Sequence, residues 1–91
     1  MVEDWLIEAS KLIERASRLS RDERETLNYF LENLSVGDLR VLSELKARGV
    51  RDPIRVLIRL LEEGFIYKAA DCYNLAKPLR LYIQRRGDLR V

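Results

Sequence analysis

Residues 35–75 read SVGDLRVLSELKARGVRDPIRVLIRLLEEGFIYKAADCYNL, and the punctuation of this stretch decides the fold. Gly49 and Gly64 each follow a run with helical apolar spacing, where a helix takes a left-handed stop. Asp52 before Pro53 opens the second run, with Asp at the N-cap and Pro in the first turn. Ser35 and Asp38 form a weaker cap before the first run, whose apolar stripe is Val36, Leu39, Leu42 and Leu45. Two short helices are thus joined by a tight turn in which Val50 is the apolar residue. Beyond Gly64, Phe65-Ile66-Tyr67 and Cys72-Tyr73-Asn74-Leu75 are β-forming and predict a short hairpin, with Lys68 to Asp71 between its arms.

Working outward, Val2, Trp5, Leu6, Ala9, Leu12, Ile13, Ala16 and Leu19 repeat at i, i+3, i+4, i+7 and predict one amphipathic helix over 2–19. Ser20 followed by Glu23 is a capping box, so a new helix starts there and runs to about Asn33, burying Leu27, Phe30, Leu31 and Leu34. Downstream, Leu79, Leu81, Tyr82 and Ile83 between Pro78 and Arg86 predict a last helix ended by Gly87. The expected architecture is mainly α with a small β-hairpin wing. Residues 1–91 form a single domain, with an extra N-terminal helix (2–19), a core (21–75) and a C-terminal helix (78–86).

Charge is unevenly spread along the 91 residues. The net charge is +2, but residues 1–34 hold eight acids and five bases, a balance of −3, whereas residues 35–91 hold twelve bases and seven acids, a balance of +5. A local basic excess is the electrostatic footprint of a nucleic-acid surface. Thirteen of the seventeen bases are arginine, which suits phosphate but also suits a protein built for heat. One Cys, one Gln, three Asn and no His fit the thermophile reading. A lone Cys72 suggests a reducing compartment, and acids in MVEDWLIEAS do not suit a signal peptide. No apolar run approaches the roughly 20 residues of a membrane span. A cytoplasmic protein with no membrane association is expected.

Leu57, Leu60, Leu61, Glu62, Glu63, Gly64, Phe65 and Ile66 make the run LxxLLEEGFI, followed by a Tyr-x-Leu strand at Tyr73 and Leu75. Over about residues 21–75 this resembles winged helix-turn-helix transcription regulators of the MarR and ArsR kind, in their small archaeal forms. The resemblance implies a double-stranded DNA partner, with the helix over 53–63 in the major groove and the hairpin over 65–75 as wing. It implies outward-facing Arg51, Ile54, Arg55, Ile58 and Arg59, with Leu57, Leu60 and Leu61 facing the core. Lys68 at the hairpin tip and Arg40 would hold the backbone. It also implies a homodimer built on the helices outside the shared core.

Two features keep a second reading open. Arginines spaced four apart on an exposed face are commonly just solvated, and Ile54 and Ile58 beside them mark an interface more readily than a groove contact. Trp5 with Leu6, Leu12 and Ile13 would either pack on the chain's own core or meet a second copy. The alternative is therefore a non-enzymatic protein-interaction module, such as a small accessory subunit of an archaeal replication or transcription complex. Catalysis has little support: without His the usual general base near neutral pH is missing, and the glycines at 37, 49, 64 and 87 form no phosphate loop. A single thiol with no His makes no ordinary zinc site. No cofactor or metal is expected.

Overall fold

Ser20 separates the first two helices. Its hydroxyl accepts from the Glu23 backbone N–H at 3.2 Å, while the Glu23 carboxylate accepts from the Ser20 N–H at 2.9 Å. This closes the capping box and satisfies two otherwise orphaned donors. The computed structural model describes residues 4–91, so Val2 lies outside the described residues. The first helix, α1, spans Asp4–Ala16, and α2 spans Arg21–Asn33. Helix α1 stops short of Leu19 because Ser17, Arg18 and Leu19 bond three residues back, and the Ser17 hydroxyl donates to Glu14 O at 2.7 Å.

After α2, Leu34 takes a φ of +62° and swings the chain into a short strand, β1 (Ser35–Gly37). This corrects the expected Ser35 and Asp38 cap. Helix α3 (Asp38–Ala47) has Gly37 at its N-cap, with no side-chain cap bond. The Asp38 N–H instead donates to Asp71 O at 2.8 Å in the hairpin turn. Ser35, Val36 and Gly37 pair with Asn74, Tyr73 and Cys72, and Val36 becomes a core residue of the sheet.

The next elements follow their punctuation. Helix α4 covers Pro53–Glu62, β2 Ile66–Ala69, β3 Cys72–Leu75 and α5 Lys77–Arg86. Gly49 and Gly64 take φ values of +89° and +79°, the left-handed geometry that stops α3 and α4. Lys68 and Ala69 belong to β2, which leaves Ala70 and Asp71 as the two-residue turn. The sheet is antiparallel in the order β1-β3-β2, so the wing has three strands. The described fold is mainly α with this small sheet, as expected.

Helix α2 crosses the middle of the molecule, packing on α4, α5 and the sheet, while α1 lies along α5. Leu27, Tyr29, Phe30, Leu45, Leu57, Leu60, Phe65, Leu75 and Leu79 fill the core. Within α3 the buried residues are Val41 and Leu45, whereas Leu39 is 84% exposed, a second departure from the expected stripe. The three-residue steps 36-39-42-45 drift off a 3.6-residue turn, and the i, i+4 pair Val41 and Leu45 holds the inner line.

Candidate functional site

The outer face of α4 carries an exposed pairing of charge and apolar surface. Asp52 caps the helix by accepting from the Arg55 N–H at 3.3 Å, and Pro53 fixes the first turn. Val56, Leu57 and Leu60 face inward, which turns Ile54, Arg55, Ile58 and Arg59 outward. Ile54 and Ile58, one turn apart, are 59% and 50% exposed. Arg51, just ahead of the helix, is held through its backbone N–H, which donates to the Asp22 carboxylate at 3.3 Å.

The arginines on this face are not equivalent. Arg59 pairs with Glu63 at 3.4 Å and lies 4.0 Å from Glu23. The guanidinium groups of Arg51 and Arg55 have no carboxylate within 4.0 Å among the described residues. An open groove of about 690 Å³ runs between the start of α2 and α4. Its lining includes Asp22, Glu23, Arg51, Arg55, Ile58 and Arg59. Fixed carboxylates, Asp22 and Glu23, thus line the same groove as these two guanidiniums.

Arg40 and Lys68 are not part of that groove. Arg40 donates to Glu44 at 2.7 Å on α3. The Tyr29 hydroxyl donates to the same carboxylate at 2.7 Å, and these two bonds hold Glu44 below the usual carboxylate range. Lys68 sits two positions before the turn rather than at its tip, with its ammonium 5.2 Å above the Tyr73 ring.

The residues expected to meet a second copy are largely engaged within the chain. Leu12 is in the core, Ile13 packs against it, and the Arg85 guanidinium of α5 lies 5.7 Å over the Trp5 ring. Leu6 is half-buried. Other exposed apolar residues are Ile7 on α1, which the sequence reading did not single out, Leu39 on α3 and Tyr67 on β2. Arg48 was also missed. It pairs with Glu32 at 2.7 Å and Glu25 at 3.3 Å and stacks 4.9 Å over Tyr29, a cross-link that no local spacing announces. Among the described residues no group of His, Cys, Asp and Glu is placed to hold a metal ion, and no helix is long and apolar enough to cross a membrane.

Fold and surface define a small mainly α domain with a sheet wing and a basic-apolar helix face. The chain belongs to the PolB1 Binding Protein 2 family, whose model matches residues 20–81, from the Ser20 cap into α5. No curated protein matches it significantly. The family overturns the resemblance to MarR and ArsR winged-helix regulators, and with it the expected role in transcription regulation. The LxxLLEEGFI run has a packing explanation. Leu57 and Leu60 are core, Gly64 makes the left-handed exit, and Phe65 and Ile66 are buried where the chain enters the sheet. Any helix passing tightly into a hairpin over a core needs that pattern, so it carries no lineage.

Proposed function

We propose that the protein is a non-enzymatic accessory module that binds the PolB1 DNA polymerase in the cytoplasm. The observation that carries this reading is the family match over residues 20–81, more than half of the 91-residue chain. The exposed Ile54 and Ile58 support it, because an apolar pair on a helix face suits a protein partner better than solvent. The test is size-exclusion chromatography with light scattering on nuclease-treated chain and polymerase. Co-elution at the summed mass is expected, and separate elution at micromolar concentrations discards the reading.

Direct contact with duplex DNA is a second reading, favoured by Arg51 and Arg55, whose guanidinium groups have no carboxylate within 4.0 Å among the described residues. Arg40, Arg59 and Lys68, the other residues proposed for it, each have a partner within the chain. If only Arg51 and Arg55 meet phosphate, the log–log salt slope is about −2, against about −4 to −5 for all five residues. Titration of duplex DNA at several salt concentrations separates the two.

A further inference from the structure

We infer that the outer face of α4 is the polymerase contact, and that its occupant is a segment of the polymerase bearing apolar side chains flanked by carboxylates. The inference rests on the polymerase-binding reading and adds the surface and the chemistry it selects. Ile54 and Ile58 form a two-residue apolar ridge in solvent, 59% and 50% exposed among the described residues. Arg51 and Arg55 adjoin the ridge, and their guanidinium groups have no carboxylate within 4.0 Å among the described residues, so these cations are open to anions of the partner. An apolar centre with arginine beside it is the composition of a protein–protein interface core.

The groove decides against a phosphate backbone as the occupant. Beside the two arginines it is lined by Asp22, Glu23 and Glu62, and Arg59 is committed to Glu63 and Glu23. Continuous phosphates would meet these carboxylates at close range and gain nothing from the isoleucines. A peptide segment can place discrete carboxylates on Arg51 and Arg55 and lay apolar side chains on Ile54 and Ile58. The acids then set the register and exclude acid-rich binding along the whole groove.

The experiment is calorimetric titration of the full chain into full-length PolB1 polymerase, with Ile58→Glu, Ile58→Ser, Arg55→Glu and Ile7→Glu. Each variant is first checked for the wild-type circular dichroism spectrum and melting midpoint, and Ile58→Ser replaces Ile58→Glu should the latter fail to fold. Ile7 is an exposed isoleucine on α1, 41% accessible, and serves as the control. Weakening of about tenfold or more for the α4 variants, with Ile7→Glu within about twofold of wild type, is expected. The Arg55→Glu variant also loses part of the salt sensitivity.

Wild-type binding that the α4 variants leave unchanged overturns the inference, and so does equal weakening by Ile7→Glu. Absence of wild-type binding overturns the polymerase reading itself. If the α4 variants keep the polymerase but lose duplex DNA, the face is a nucleic-acid surface. If Ile58→Glu halves the solution mass with polymerase binding intact, the face joins two copies. Either result discards the proposed occupant.

Discussion

Tyr29 on α2 donates its hydroxyl proton to Glu44 on α3 at 2.7 Å, and this bond ties the central helix to the one that precedes the α4 face. Burial, and then the Glu44 carboxylate as hydrogen-bond partner and neighbouring charge, push the Tyr29 pKa up from 10.0 to about 12. The fold therefore holds this proton more tightly than the unfolded chain. The contribution is fully present below about pH 10 and is lost as pH rises through about 12. In an ultraviolet tyrosinate titration, one of the four tyrosines should ionise late, and Tyr29→Phe should remove that step. The variant should lose about 1 kcal/mol in urea denaturation near neutral pH.

Two left-handed positions should respond with opposite signs. Gly64 at φ +79° has open space around a would-be Cβ, so Gly64→Ala meets no atom and costs about 1 kcal/mol through backbone strain alone. Ala70 at φ +54° already bears that strain in the hairpin turn. Ala70→Gly should relieve it and stabilise by about 0.5 kcal/mol net of the added freedom in the unfolded chain. Thermal melts of the two variants, moving in opposite directions, check both.

Asn28 is buried on α2 and clasps Val91 from both sides. Its amide donates to Val91 O at 3.0 Å, and the Val91 N–H donates to its carbonyl at 2.7 Å. Asn28→Ala should cost about 1–2 kcal/mol and leave the partly buried Val91 N–H and carbonyl without their side-chain partner. Hydrogen exchange in residues 88–91 should accelerate well before that in α2; unchanged exchange there would show that Leu89 packing and the Arg90–Glu32 pair hold the segment alone.

Removing the Ser20 hydroxyl opens the capping box at the start of α2. Ser20→Ala should lose about 1 kcal/mol and Ser20→Gly a few tenths, read from melting midpoints. Glu23→Gln keeps a carbonyl acceptor for the Ser20 N–H, yet it removes the charge facing Arg59 at 4.0 Å. At that exposed pair the added loss should be below about 0.5 kcal/mol.

The sequence by itself determined the features that are local. The Ser20-Glu23 box, the Asp52-Pro53 start and the stops at Gly49, Gly64 and Gly87 are bonds and torsions within three or four residues, so spacing alone locates five helices and a hairpin. The outward set Ile54, Arg55, Ile58 and Arg59 came from the resemblance, with Leu57, Leu60 and Leu61 inward; the structure buries Val56, Leu57 and Leu60 and leaves Leu61 partly buried. Only the tertiary structure decided what depends on partners distant in the chain. Ser35–Gly37 is a strand because β3 offers it an edge, and Leu39 is exposed because Val41 and Leu45 hold the inner line of α3. Arg40 and Arg59 are paired with Glu44 and Glu63, while the guanidiniums of Arg51 and Arg55 have no carboxylate partner among the described residues. A row of arginines looks uniform in sequence. Packing decides which of them find a carboxylate, and it makes this face a mixed apolar and cationic surface rather than a uniform basic one.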